Sequence, residues 1–372
     1  QLNPTIDVSG KDIYVNVDGL LEPGSSYTAE FDPDIIRGLN GEKPSTAYIF
    51  TFTTEAVYVQ PPFTTPEGFL QTAGDFYDGK FYIGGYGPND EGFTACFNWE
   101  GDSVWFNDFR INGQYTRITL VEVNSTGIYS VALVNPSNPV TSEAWLYYQS
   151  FDGNYISQWQ LTAGGGGLSI TSSENEIYIN YLDNQTNKTY VHRYSVNGLQ
   201  AEISYFRAYG ILYQDGYLYV SGAGTNHSRV FLSKWHSDLS DSVWYNEVQH
   251  NGITNVPKSY ITYASNRLWI LAHEYNQQLV SSLIMQQYDQ DGTVLRDITF
   301  PSSIGTISGV CSDGINAYKK GNSGLYKIYL DGNITHLLSI QAEDIFRAND
   351  PSGSNHKIAI SDHTNELKFY NR

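Results

Sequence analysis

A repeat constrains this chain more than any other feature. The hexapeptide Asp102-Ser103-Val104-Trp105-Phe106-Asn107 returns as Asp241-Ser242-Val243-Trp244-Tyr245-Asn246, 139 residues further on and altered only from Phe to Tyr. Three periods of about 46 residues fit that gap, which is the length of a four-stranded propeller blade. A second landmark, a turn followed by an apolar-aromatic strand, recurs as Asp78-Gly79-Lys80-Phe81-Tyr82-Ile83 and Asp215-Gly216-Tyr217-Leu218-Tyr219-Val220. Taking Tyr82, Tyr129, Tyr178, Tyr219, Trp269, Asn316 and Lys357 as equivalent gives steps of 47, 49, 41, 50, 47 and 41 residues, hence seven copies.

Each copy continues through a polar loop, an apolar strand, a tight turn and a last strand. The second turns read Trp99-Glu100-Gly101-Asp102, Phe151-Asp152-Gly153-Asn154, Val196-Asn197-Gly198, Gln290-Asp291-Gly292-Thr293 and Leu330-Asp331-Gly332-Asn333. Asp-Gly and Asn-Gly between alternating strands signal hairpins, because both central residues tolerate positive φ. Four-stranded units that cannot bury both faces alone close radially. A linear solenoid is the alternative, but its coils need no hairpin at every step. The expected fold is therefore all-β, a seven-bladed β-propeller of four-stranded blades over residues 56–372. The last copy holds only three strand segments, around Ile345, Ile358 and Phe369, and Ala56-Val57-Tyr58-Val59-Gln60 is expected to supply the fourth and close the ring.

Composition narrows the partners. Lys and Arg number 21 against 39 Asp and Glu, a net charge of −18, and no basic run exceeds Lys319-Lys320; a nucleic-acid partner is not expected. No stretch of 18 apolar residues exists to cross a bilayer as a helix. Cys96 and Cys311 have no metal-ligand spacing and fall two blades apart around the ring, so both are expected to be unpaired. Five Asn-x-Ser/Thr sequons, at Asn124, Asn184, Asn187, Asn226 and Asn333, are no more than the composition produces by chance.

Residues 1–55 read differently. Ile13-Tyr14-Val15-Asn16-Val17, Leu21 to Phe31 and Tyr48 to Thr54 are three alternating strands with Pro- and Gly-marked turns, as in half of a sandwich. The Leu21-Glu22-Pro23-Gly24-Ser25-Ser26-Tyr27-Thr28 stretch, the Ile36-Arg37-Gly38-Leu39-Asn40-Gly41 turn and the closing Phe52-Thr53-Thr54 resemble the second half of bacterial Ig-like domains of S-layer and other prokaryotic surface proteins. Such domains carry further strands upstream, so Gln1 is read as a cut inside a longer polypeptide. The blades, through Asp78 to Gly85, Phe93-Thr94-Ala95-Cys96-Phe97 and Gly101 to Trp105, resemble the repeats of prokaryotic seven-bladed propellers. Phe231-Leu232-Ser233-Lys234 matches that pattern more closely, whereas copies six and seven depart from it. The resemblance implies an exported, surface-displayed protein without a shared catalytic residue.

A search for chemistry finds little. Gly321-Asn322-Ser323-Gly324 is one residue short of a nucleophile elbow and reads as a hairpin loop. His273-Glu274 lacks the second His of a helical zinc site. Gly164-Gly165-Gly166-Gly167 has no following Lys-Ser or helix, and fits the crowded entry to the innermost strand of blade 3. Asp289 and Asp291 fall in a tight turn. No catalytic residue, metal site or cofactor is assigned.

Two functional readings remain. The first is a non-catalytic extracellular module on a cell or virion surface, adhesive or structural. It would bind glycan or protein through one propeller face and contact neighbouring Ig-like domains or subunits. The second is a secreted carbohydrate-active or other hydrolase with an axial-channel active site, which clustered Asp, Glu, His and Arg at the channel mouth would favour. Short turns within strand pairs gather on one rim and longer joints on the other, where a rigid scaffold tolerates variable binding loops. The candidates there are Tyr86, Asp90, Arg110, Tyr115, His227, Arg229, His250 and Tyr275, whose planar and aromatic groups suit sugar and protein surfaces.

Overall fold

The computed structural model describes residues 5–9, 12–16, 26–31, 42, 46, 48–53, 65–137, 142–224, 229–249, 253–276, 281–300, 302–321, 324–338, 342–349, 356–362 and 367–371. The chain divides into two compact units, residues 1–59 with 369–372, and residues 60–368.

In the first unit, Thr5–Ser9 pairs antiparallel with Asp12–Asn16, and Ser26–Phe31 with Tyr48–Thr53. Thr28 faces Thr51 across the second hairpin, their hydroxyls 3.2 Å apart. These are two separate two-stranded sheets. The expected three-strand half sandwich is not shown among the described residues, and Thr5–Ser9, which was not anticipated, is the partner of the strand expected at Ile13.

The second unit is a β-propeller. Blade 1 consists of Leu70–Tyr77, Lys80–Tyr86, Gly92–Phe97 and Ser103–Phe109; blade 2 of Thr116–Asn124, Gly127–Val134, Glu143–Gln149 and Tyr155–Ala163; blade 3 of Gly165–Ser172, Ile177–Asp183, Lys188–Ser195 and Gly198–Tyr205. Blade 4 consists of Ala208–Gln214, Tyr217–Ala223, Arg229–His236 and Ser242–Gln249; blade 5 of Ile253–Ala264, Arg267–Asn276, Ser281–Tyr288 and Val294–Phe300; blade 6 of Gly309–Ser312, Ala317–Gly321, Gly324–Ile328 and Ile334–Leu338. Strands pair in sequence order, all antiparallel. The expectation of seven four-stranded blades is corrected: the described residues form six. Among the described residues the last copy has three strand segments, Ala342–Asn349, His356–Asp362 and Leu367–Asn371, and these form a three-stranded sheet. Its first strand packs between those of blade 6 and blade 1, with Ile345 against Gly309 and the Phe346 ring against Gly74. Residues 56–60, expected as a fourth strand, lie outside the described residues.

The second strand of each blade is sandwiched within its sheet and between neighbouring blades, so it is mostly buried, apolar residues interspersed with buried polar ones such as Ser130, Asn180, Ser221 and Lys319. Its landmark aromatics Tyr82, Tyr129, Tyr178, Tyr219 and Trp269 are at most 2% exposed. In blade 6 the landmark Asn316 falls one residue ahead of the strand, and Tyr318 takes the buried place. Turns from first to second strands have positive φ at both central residues in blades 1, 4 and 5: Asp78 +47° and Gly79 +75°, Asp215 +52° and Gly216 +82°, Ser265 +49° and Asn266 +58°. This geometry matches the twist of the flanking strands. The opposite rim is less uniform than expected, since Gly164 alone joins blades 2 and 3, and residues 206–207 alone join blades 3 and 4.

The repeated hexapeptide is a latch between blades. Trp105, on the outermost strand of blade 1, donates its indole N–H to the Phe151 carbonyl of blade 2 at 2.8 Å, and Asn107 Nδ2 donates to the Gly153 carbonyl at 2.8 Å. Trp244 and Asn246 of blade 4 repeat this on Gln290 and Gly292 of blade 5, at 3.2 and 2.9 Å. All four bonds span 46 residues. The receiving glycines have φ of +79° and +86°, and a Cβ on either would lie 2.9 Å from an indole Cδ2. Other junctions vary the same contact: Trp159 lies over Gly198, Arg296 donates to the Asp331 carbonyl beside Ile298 over Gly332, and Leu239 is buried against Ala201 and Ile203.

Gly153→Ala is expected to cost about 2–4 kcal/mol in urea unfolding, combining strain at positive φ with overpacking against Trp105. Gly216→Ala, at φ +82° with nothing within 4 Å of the added Cβ, is expected to cost only the strain, about 1 kcal/mol. Equal losses at the two positions would show that the indole contact contributes nothing.

Candidate functional site

First strands from all six blades and the three-stranded sheet line an axial cavity of about 500 Å³. Among the described residues Asp75 and Glu122 are the charged groups of its wall, and no described His, Lys or Arg lines it. Both carboxylates stitch blades together. Asp75 accepts from the Phe76 N–H of its own strand and from the Val123 N–H of blade 2, each at 2.7 Å. Glu122 accepts from the Ser172 hydroxyl of blade 3 at 2.6 Å. Burial, and then the Asp75 carboxylate, hold Glu122 well above the usual carboxylate range. The stitching continues around the ring, where Tyr213 N–H donates to Thr171 Oγ1 at 3.1 Å and Ser312 Oγ donates to the Tyr263 carbonyl at 2.7 Å.

Of the eight sequence candidates, four come together where blade 1 meets blade 2. Asp90 is exposed at φ +66°, and its carbonyl accepts from the Thr116 N–H at 3.0 Å. Arg110 donates to the Asn89 carbonyl. Tyr86 carries the guanidinium of Arg117 over its ring, 4.6 Å from the centroid. Tyr115 stands beside them: burial raises its phenol, Arg117 opposes the shift, and Tyr86 and Asp90 reinforce it. Arg117 was not among the candidates, yet it joins the two tyrosines.

The remaining four do not join this cluster. Arg229 pairs within blade 4, with Glu247 at 3.1 Å and Gln249 at 2.9 Å, so its guanidinium is committed to its own sheet. Tyr275 belongs to the second strand of blade 5. His227 and His250 lie outside the described residues.

A second cavity of about 450 Å³ opens among blades 3, 4 and 5, sharing Leu168 and Tyr260 with the axial cavity. Arg207, Tyr209 and Lys258 line it, and none was a sequence candidate. The available signal was positional. Arg117, Arg207 and Lys258 each sit towards the loop-rim end of a first strand, in blades 2, 4 and 5, in a chain with only 21 cationic Lys and Arg residues.

Cys96 and Cys311 are both buried and form no disulfide with each other, as expected. Burial pushes the Cys96 thiol up to about 11, far from a reactive thiolate. Among the described residues no cluster of three His, Cys, Asp or Glu side chains is placed to hold a metal ion, and no helix is long and apolar enough to cross a membrane.

No protein-family profile and no curated sequence matches the chain. Solved structures do. A propeller of Dos1 is similar at a TM-score of 0.53 and 10% identity, covering 84% of this chain and 86% of its own. Hsv2 of Kluyveromyces marxianus is similar at 0.51 and 10%, covering 82% and 97%. The extracellular domain of a hybrid two-component system from B. thetaiotaomicron is similar at 0.52 and 13%, with 84% of this chain on 40% of that one. At such identities the likeness concerns the fold, and that fold is the β-propeller.

Proposed function

We propose that this chain is a non-catalytic binding module, displayed outside the cell or on a virion, that engages glycan or protein through the rim carrying its longer loops. The observation that carries this reading is the grouping of Tyr86, Tyr115, Arg110 and Arg117 at one blade junction, while the acidic groups of the channel are occupied in holding blades together. Aromatic faces with a guanidinium are the recurrent chemistry of sugar and protein recognition. The two-stranded sheets of residues 5–53 fit the reading as part of an Ig-like support, and the extracellular propeller of the two-component system is a fold relative with that placement.

The hydrolase reading has one observation in its favour, the Asp75 and Glu122 carboxylates on adjacent blades of the channel. Against it, both Asp75 oxygens already accept backbone N–H groups.

Two experiments separate the readings. Replacing Tyr86, Tyr115 and Arg117 by Ser is expected to weaken binding on a glycan array, or to a captured protein partner, by about tenfold or more. Replacing Asp152, Asp215 and Asp331 by Ser on the opposite rim should leave it unchanged. Equal loss from both sets, or loss from the second alone, rejects the assignment.

The second experiment uses pH. A carboxyl raised in the folded state contributes stability that is fully present below the ordinary glutamate range, near pH 4, and is lost as pH rises through its folded value. Wild type should therefore lose stability to urea as pH rises above the ordinary glutamate range, and Glu122→Gln should flatten that slope and be the more stable protein on its alkaline side. A Glu122→Gln variant that kept the slope but abolished a glycosidase activity of the wild type would favour the hydrolase.

A further inference from the structure

Arg207 and Lys258 approach one cavity from adjacent blades. Arg207 ends the joint between blades 3 and 4, and Lys258 lies in the first strand of blade 5. Among the described residues the lining contains no carboxylate, in a chain that carries 39 acidic residues against 21 basic ones. Among the described residues neither cation forms a salt bridge. Two cations without a countercharge in a concave wall concentrate positive potential there.

Neighbouring groups register that potential and orient its source. His273 is paired in register with Lys258; burial pushes its imidazole down, and Lys319 and Lys258 push it further. Arg207 lies within hydrogen-bonding reach of the Tyr209 side chain, whose phenol is raised by burial against the opposing pull of the guanidinium. The rest of the lining is divided by character. Leu168 and Leu182 give an apolar wall, while Asn187 and Tyr209 present neutral hydrogen-bonding groups. A cavity of about 450 Å³ is within the usual range for small-molecule sites.

We propose that this pocket binds a sugar acid, with its carboxylate between Arg207 and Lys258 and its ring against Leu168 and Leu182. Two cations among neutral groups favour an anion, the Arg fork favours a planar carboxylate, and the apolar wall beside an amide and a phenol suits a polyhydroxylated ring. The inference rests on reading the loop rim as a binding surface and adds the ligand class.

Isothermal titration of the full chain at low salt with D-glucuronate and D-galacturonate tests it, with D-glucose and glucose 6-phosphate as comparators. At least one acid should bind saturably and no less than about tenfold more tightly than glucose. Arg207→Gln and Lys258→Gln should each weaken it by about tenfold or more, as expected for a lost charge-assisted hydrogen bond. Lys258 is exposed, so Lys258→Gln is expected to retain the wild-type unfolding midpoint and to separate binding from folding. Glucose binding as tightly, preference for glucose 6-phosphate, no binding by either acid, or unchanged affinity in both variants would overturn the proposal. The Tyr86, Tyr115 and Arg117 variant should keep sugar-acid binding; if neither acid binds while the wild type still binds through that cluster, the pocket inference alone fails.

Discussion

The contact on which the ring depends is an outermost strand reaching across to the third-to-fourth-strand turn of the next blade. Each blade is a twisted sheet whose outer edge would otherwise be poorly anchored, and its indole N–H needs a partner once half-buried. The next blade supplies one in the carbonyl of a turn residue, 46 positions along the chain. A second carbonyl, from the turn glycine, meets the Asn amide two residues after each Trp. That exchange requires positive φ and no Cβ under the indole, which is why Asp-Gly occupies Asp152-Gly153 and Asp291-Gly292. Period, hairpin and Trp are thus one device rather than three sequence features. Further in, buried second-strand aromatics and the bonds from Asp75, Glu122 and Thr171 join the same neighbours near the axis.

The legible part of the sequence was whatever a repeated physical demand wrote more than once. Tyr82, Tyr129, Tyr178 and Tyr219 announce second strands because every blade must fill the same space, and turns such as Asp78-Gly79 announce hairpins because the chain must take positive φ there. Gly165 was placed correctly at the entry to blade 3's innermost strand, where a Cβ would meet the Leu182 carbonyl at 1.8 Å. Blade count was less legible, because the final copy contributes three strands and its wording is degraded. The first unit was misread at Thr5–Ser9, a strand of five residues with two apolar side chains, which pairs with Asp12–Asn16.

The candidate site was half legible for a similar reason. Choosing planar and aromatic residues from long loops found Tyr86, Asp90, Arg110 and Tyr115, but also selected Arg229, whose charge is satisfied by Glu247 from the adjacent strand. Cross-strand partners such as Arg229 and Glu247 lie 18 positions apart and carry no local signal. Arg117 and Lys258 were passed over because they belong to strands rather than loops, and Arg207 because its joint is only two residues long. Their significance comes from the ring, which turns separate strand ends towards common openings. A surface of net charge −18 makes those few cations the places where an anion or a carbonyl-rich surface meets least repulsion.

If the latches join the blades into one cooperative ring, loosening one should weaken all. Hydrogen exchange followed by mass spectrometry on wild type, Trp105→Ala and Trp244→Ala tests this, read at the second strands of blades 1 to 6. The account predicts that each substitution lowers the opening free energy of these strands together, by a similar amount, as in a single global unfolding event. Loss of protection confined to blades 1 and 2 in Trp105→Ala, and to blades 4 and 5 in Trp244→Ala, would contradict it and describe blades that are stable one by one.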